Sequence, residues 1–382
     1  MNESVILIID PRGMVLSNKS GAIARHVVYK NILSKFSSDQ NYKLRIFSAC
    51  KQFSDVSFGD LSFLERITNP TFNSLLFAFK SARRVKIERL NVKLLIVADP
   101  WESFWSAVFL RVLLNKRIPI QVQIHADLGN YKWKKANLKN RIRFELAKLS
   151  LGRADAIRTV GKTQTNLIIE SFKLEEDKIS ILPIPLINHA TAEINTGVRP
   201  RTIAFIGRIE SDRGIWEFIT LIKLIVNERR DFKLVIIGSG SEEQKFRAGL
   251  EEILPSSSIE YLGYLSSSEI NDYWNQIGVL VSLAPTESYG LTLREAIIGG
   301  VPVWASKSSG VQDLKETVGN EVVNELDFSD SGQNIAEVFE RIIAGKIKKE
   351  IRLSLIDSNQ KYARNIVKNW VDLIGKQREK LP

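Results

Sequence analysis

Residues 284–300 read A-P-T-E-S-Y-G-L-T-L-R-E-A-I-I-G-G. Two carboxylates, Glu287 and Glu295, stand eight positions apart, and the turn-like Ser288-Tyr289-Gly290 follows the first of them. Upstream, Ile277–Leu283 (I-G-V-L-V-S-L) is an apolar run, which predicts a buried strand. Downstream, apolar residues at Leu291, Leu293, Ala296 and Ile297 predict a helix. The stretch is therefore strand, loop, helix, with Gly290 at the loop-to-helix junction. Such a junction presents backbone N–H groups and the positive helix end, which suits phosphate. Glu287 then lies in the loop and Glu295 about one turn inside the helix. A diphosphate at the helix start would meet one carboxylate on each side. Glutamates near a helix start also simply complement its dipole, so the spacing alone leaves a purely structural reading open.

The same strand-then-glycine pattern recurs upstream. Ile203–Ile206 predicts a strand followed at once by Gly207-Arg208, and Arg213-Gly214 precede a helix over Trp216–Val226. Leu234–Ile237 predicts a strand ending in Gly238-Ser239-Gly240, and Ile259–Leu262 one ending in Gly263-Tyr264. Ser266–Trp274 reads as a helix opened by a serine capping signal. Val301–Ala305 predicts a further strand, with Ser308-Ser309-Gly310 beginning another loop. Two fixed cations at a helix start, Arg208 and Arg213, suit a diphosphate and the charge of a leaving group. Surface ion pairs with Glu210 and Asp212 are the alternative for both.

E-S-Y-G-L-T-L-R-E resembles the E-x7-E signature of the GT4 family of retaining glycosyltransferases, and the resemblance extends over Gly207–Gly214 (G-R-I-E-S-D-R-G), Val235–Gly240 and Ile259–Leu265. It covers most of the second half of the chain. It implies the GT-B fold: two Rossmann-like domains with parallel sheets facing across a cleft. Those domains would be an N-terminal acceptor domain over 1–190 and a C-terminal nucleotide-sugar donor domain over 200–358. A final helix, 360–382, would pack back on the first domain through Ile366, Val367, Trp370 and Leu373. The implied reaction is transfer of a hexose, with retention, from a nucleotide-diphospho-sugar to a glycan or lipid-linked acceptor in cell-surface polysaccharide or glycolipid synthesis. Glu287, Arg208, Arg213 and His125 would be catalytic. The donor would be held by Gly207, Gly238, Gly240, Gly263, Tyr264, Ser288, Tyr289, Gly290, Leu291, Thr292 and Glu295, with Glu295 on the ribose. Gly21 would lie in the acceptor or phosphate loop. The family pattern G-R-x(4)-K-G is kept except that Arg213 stands where Lys is usual, and Arg is not a neutral exchange for Lys. No D-x-D triplet occurs, so no metal and no cofactor beyond the co-substrate are expected. A catalytically silent relative that binds membrane or a partner is the alternative reading.

The first half carries the alternating pattern of an α/β domain. Val5–Ile9 is a continuous apolar strand. Ser20-Gly21 then starts a predicted helix with Ile23, Val27 and Ile32 toward its core. Neither G-x-G-x-x-G nor a P-loop is present, which weakens dinucleotide and P-loop readings. Leu44–Ser48, Val92–Ala98, Ile118–Ile124, Ala154–Val160 and Ile179–Leu182 predict strands, whereas Phe53–Pro70 is turn-rich without a clear assignment. The strand over 118–124 ends in His125-Ala126-Asp127-Leu128-Gly129, where α/β sheets bind ligands. His26 and His189 are read as structural. Asp127 would either fix the imidazole or cap the next turn. The interdomain linker is placed at Asn188–Pro200.

The chain has 382 residues, 44% of them hydrophobic and 25% charged, which fits two globular domains. A single cysteine, Cys50, leaves no room for an internal disulfide framework. No run of 18 apolar residues and no leader-like start is read, so a cytoplasmic protein is expected, with peripheral attachment to the inner face of the membrane as its extension. The net charge of +11 points to an anionic partner. Phe77–Leu90 is helical and basic, and Tyr131–Lys148 holds seven basic residues, one acid, and Trp133 and Phe144. Such a segment suits an anionic membrane surface, equally a nucleic acid, or is a solvated helix face; the lipid-linked acceptors that the resemblance implies put the membrane surface first. No nucleic acid is expected as a partner.

Overall fold

The computed structural model describes residues 3–15, 21–36, 42–50, 62–69, 73–187, 199–327 and 334–379. It divides into two compact units, Met1–Ile187 with Gln360–Pro382, and Asn188–Asn359. The linker assigned from sequence lies almost wholly outside the described residues, as does His189.

The first unit runs β1 (Ser4–Asp10), α1 (Ala22–Phe36), β2 (Tyr42–Ala49), β3 (Leu64–Thr68), α2 (Ser74–Ile87), β4 (Asn91–Val97), α3 (Glu102–Leu114), β5 (Ile120–Gln123), α4 (Tyr131–Lys135), α5 (Leu138–Leu151), β6 (Ala156–Thr159), α6 (Lys162–Phe172) and β7 (Ile179–Ile181). The strands form one parallel sheet in the order β3-β2-β1-β4-β5-β6-β7. Because side chains alternate across a strand, β1 sends Val5, Leu7 and Ile9 to one face and Ile6 and Ile8 to the other. The first face packs against α2, α3 and α5 through Phe77, Phe104 and Phe144. Turn-rich sequence hid β3, which occupies the sheet edge. The basic segment over 131–148 is two helices rather than one, because Asn137 breaks the chain and caps α5 by accepting from Asn140 N.

The second unit runs β8 (Thr202–Ile206), α7 (Ile215–Glu228), β9 (Lys233–Ile237), α8 (Glu243–Glu251), β10 (Ile259–Gly263), α9 (Ser267–Ile270), β11 (Val279–Ser282), α10 (Leu291–Ile298), β12 (Val303–Ser306), α11 (Ser309–Val318), β13 (Val323–Leu326) and α12 (Ile335–Ala344), followed by α13 (Lys349–Glu379). Its sheet is parallel in the order β10-β9-β8-β11-β12-β13. The order reverses between β8 and β11, and open α/β sheets bind ligands outside the carboxyl ends of strands at such a point. Ser309 and Gly310, read as loop, open α11. The reason is steric: a Cβ on Gly310 would lie 2.6 Å from Tyr289 N, so glycine lets this helix start press against the preceding loop.

Helix α13 begins eleven residues before the helix read from sequence. Its residues from Gln360 on belong to the first unit. There Ile366, Val367 and Trp370 are fully buried with Ile6, Ile8, Tyr29 and Leu33. Trp370 Nε1 donates to Gln121 Oε1 at 3.0 Å, and Gln121 Nε2 donates to Asn369 Oδ1 at 2.7 Å. The second sheet face is thus covered by α1 and the end of the chain.

Candidate active site

In the second unit the strand ends β8, β9 and β10 are joined by backbone alone. Gly207 N donates to Ile237 O at 2.9 Å, and Gly238 N donates to Gly263 O at 2.7 Å. Gly238 has φ +145° and a Cβ there would lie 1.8 Å from Gly207 O. A Cβ on Gly240 would lie 2.1 Å from Ile209 O. At Gly207 and Gly263 a Cβ would meet nothing within 4 Å. The four glycines therefore do two jobs: Gly238 and Gly240 let loops touch, while Gly207 and Gly263 leave room beside them. Glu210 fixes the β9–α8 loop, accepting from Ser241 N at 3.0 Å and Ser241 Oγ at 2.6 Å. Tyr264 is exposed, and its hydroxyl pKa is pushed up by burial and by Glu269.

Across the reversal point, the loop after β11 brings Glu287 onto Arg213. Arg213 Nη1 donates to Glu287 Oε2 at 3.1 Å, and Glu287 Oε1 accepts from Gly290 N at 3.1 Å. Gly214, under Arg213, has φ +70° and a Cβ there would lie 2.2 Å from Leu283 O, which is why the α7 start can pass so close to β11. Gly290 also has φ +70° and caps α10. Its own amide is engaged by Glu287, so the N–H groups that this helix start could offer to an anion begin at Leu291. Glu295 follows on α10, half-buried.

The two arginines differ. Arg208 is exposed and its Nη2 lies 3.6 Å from Asp212, an i,i+4 surface pair. Such a pair is worth about 0–1 kcal/mol and yields easily to a ligand anion. Arg213 has Asp212 at 4.0 Å and Glu287 at 3.1 Å. Surface pairing with Asp212 is thus real for both, while Glu210 is committed to Ser241.

The side chains of Ser288 and Tyr289 pack into the unit. They are 6% and 3% exposed. The guanidinium of Arg294 lies 3.8 Å over the Tyr289 ring, so that ring is packed inward and shapes the loop. Arg294 itself escaped the sequence reading. It is 7% exposed, and its Nη1 has no hydrogen-bond partner among the described residues. Its position one residue before Glu295 looked like an ordinary polar place on an amphipathic helix.

In the first unit, His125 follows β5. Buried Gln164 holds the backbone on both sides of it, donating to Ala126 O at 2.8 Å and Ile124 O at 3.4 Å. Asp127 Oδ2 accepts from Asn130 Nδ2 at 2.7 Å, the turn-fixing role. The imidazole keeps an open face yet is surrounded by the unit's bulk. Lost hydration and the charges of Arg158 and Arg25 lower its pKa to about 3. His26, read as structural, is electrostatically coupled to it. Burial and the same arginines lower His26 to about 4, and its Nδ1 is 2.7 Å from Ala22 O. Arg158 is 2% exposed and donates to Gln123 Oε1 and to the carbonyls of Leu182 and Pro183. This grouping comes from three distant stretches, and no local pattern announces it. Gly21 is exposed with φ +55° at the start of α1. Among the described residues no group of three or more His, Cys, Asp or Glu is placed to hold a metal ion. No described helix is long and apolar enough to cross a membrane.

Residues 190–361 match the family described as Glycosyl transferases group 1. The 2-deoxystreptamine N-acetyl-D-glucosaminyltransferase of Niallia circulans is 22% identical over 114 residues, 30% of this chain and 29% of that enzyme, so the match spans less than a third of that relative's length. The alpha-monoglucosyldiacylglycerol synthase of Acholeplasma laidlawii is 20% identical over 336 residues, 81% of this chain and 82% of that protein. A crystal structure of Anabaena HepE in complex with UDP-glucose shares the fold, with a TM-score of 0.62 at 14% identity over 99% of this chain and 100% of that one. The chain therefore has the GT-B fold, and its residues 190–361 match the group 1 glycosyltransferase family.

Proposed function

We propose that the chain is a retaining glycosyltransferase that moves a hexose from a nucleotide-diphospho-sugar to a glycan or lipid-linked acceptor in glycolipid or cell-surface polysaccharide synthesis. The observation that carries this reading is the Arg213–Glu287 pair at the sheet's reversal point, with the α10 start beside it. The HepE complex with UDP-glucose and the diacylglycerol-based name of the Acholeplasma relative agree with the two substrate classes. Arg208 and Arg213 meet the diphosphate. When the bond between the anomeric carbon and the phosphate oxygen breaks, its electron pair leaves with the diphosphate, and these guanidiniums stabilise that charge. The acceptor hydroxyl oxygen then bonds the anomeric carbon from the face the diphosphate leaves, and its proton passes to the departing phosphate oxygen. Glu287 hydrogen-bonds sugar hydroxyls and favours the cationic ring, and Glu295 holds the ribose. His125, neutral at pH 7, serves as a hydrogen-bonding group for a sugar hydroxyl rather than as a charge. Two fixed cations make a divalent ion unnecessary in this scheme. The place of action is the cytoplasmic side of a membrane.

The test is thermal stabilisation by UDP, GDP, ADP and CDP, measured on the wild type and on Glu295→Ala. One diphosphate is expected to stabilise the protein and to lose most of its effect in the variant. A protein indifferent to all four would sink the donor assignment.

A further inference from the structure

The chain's charge is divided unequally. The first unit holds thirty-six Lys and Arg against eighteen Asp and Glu, a net +18, and the second holds eighteen against twenty-five, a net −7. Residues 74–151 alone hold sixteen against five, a net +11 that equals the charge of the whole chain. This stretch supplies α2, α3 and α5, whose buried residues all share one core with the same face of the sheet. They are one layer, and their outer sides point away from that core together.

That outer side is apolar as well as basic. On α5 the exposed Leu138, Ile142, Leu146 and Leu149 fall within an arc of about 80°. Lys139 borders the arc on one side and Arg141 and Lys148 on the other. The one exposed acid of α5, Glu145, is paired with Lys148 at 2.7 Å and Lys134 at 3.5 Å. On α2 the exposed apolar residues are Leu75, Leu76, Phe79 and Ile87, with Lys80, Arg83, Arg84 and Lys86 between them and no exposed acid. Val112 of α3 is also 69% exposed. Exposed aliphatic side chains flanked by long cations are the composition of an interfacial helix: the stripe enters the acyl boundary while Lys and Arg reach the headgroups.

We propose that the outer faces of α2, α3 and α5 form a single docking surface for an anionic lipid bilayer. The juxtaposition that carries it is two apolar, base-flanked helix faces on one side of one sheet. A nucleic acid would satisfy the cations but offers nothing to Leu138, Ile142, Leu149 and Ile87, since its recognition uses exposed aromatic faces for base stacking. An acidic protein would need a partner groove for protruding aliphatics on convex helices. The surface widens the 131–148 segment into a layer and stands whether or not the second unit transfers a sugar.

The experiment is flotation of the full chain with phosphatidylcholine vesicles, with and without phosphatidylglycerol. Binding is expected only with phosphatidylglycerol. Ile142→Asp combined with Leu149→Asp should lower it by about tenfold or more at constant salt. Arg83→Glu combined with Arg141→Glu should lower it similarly and flatten its salt dependence. Unchanged far-UV circular dichroism, and unchanged stabilisation by whichever nucleoside diphosphate binds, show that the variants fold and keep the donor assignment separate. Equal flotation of wild type and both variants overturns the proposal. So does an absence of flotation with either vesicle, or binding to a single-stranded oligonucleotide that both variants weaken while flotation stays unchanged.

Discussion

The two units are built alike and charged oppositely. Each is a parallel sheet with helices on its faces, of seven strands in one and six in the other. The second, at −7, places two arginines near its strand-end glycines, each beside a carboxylate, in an acidic body. The first, at +18, spreads its charge over a helical layer and keeps its two described histidines neutral. The lesson is that net charge and site charge are separate quantities. Cations gathered at one point can act on a single anion, while a broad cationic face can act on a surface.

The largest expected effect breaks the site in the second unit. Arg208→Ala should lower turnover about 100-fold or more, because it removes a cation aimed at the leaving group. Arg213→Lys should leave activity measurable, as the charge persists without the fork. A sugar-transfer assay with near-normal turnover by Arg208→Ala would end the diphosphate assignment. Next comes a pair of glycines. Gly238→Ala puts a methyl 1.8 Å from Gly207 O and should destabilise the unit by roughly 3 kcal/mol in urea melts. Gly207→Ala meets open space and should leave the fold intact. If Gly207→Ala also leaves nucleotide stabilisation unchanged, the space beside Gly207 is not the ligand's.

The first unit is tested by acid. Both His125 and His26 have folded pKa values below the ordinary 6.5, at about 3 and about 4. Below pH 6.5 the unfolded chain therefore takes up protons that the folded unit refuses. Their contribution is fully present above that pH and is lost as pH falls toward 4 and then 3. His26→Asn with His125→Asn should flatten this part of the stability profile between pH 6.5 and 4, and an unchanged slope would contradict the neutral-histidine picture. The smallest effect is Asp212→Asn. It removes an exposed partner of Arg208 and should shift stability by less than about 1 kcal/mol. Nucleotide affinity should hold or rise, and a marked fall would give Asp212 a part in binding.

What the sequence revealed follows from locality. Continuous apolar runs such as Val5–Ile9 announced buried parallel strands, and alternation with helices announced the fold. The Glu287 loop, Gly207-Arg208 and Arg213-Gly214 were legible because each lies on one short strand-end segment. Their meeting followed from the sheet order, with β8 beside β11. The elements that escaped were short or polar: β3 at an edge, β13 of four residues, and α8, whose sequence E-Q-K-F-R-A-G-L-E buries only Phe246 and Leu250. The inward packing of the Tyr289 ring was not legible, because an aromatic beside a glutamate gives no sign of which way it packs. The grouping of Arg158 and His26 with His125 escaped because they lie 33 and 99 positions from it, on other elements.

The way α13 completes the first unit has a consequence for the order of events during synthesis. The first 187 residues leave the ribosome first, yet the apolar face formed by Ile6, Ile8, Leu94 and Ile96 gains Ile366, Val367 and Trp370 only when the end of the chain is made. The second unit's sheet is entirely translated before then. The first unit is thus completed after the second unit's sheet, and until Trp370 arrives its uncovered sheet face is a surface that nascent-chain chaperones would recognise.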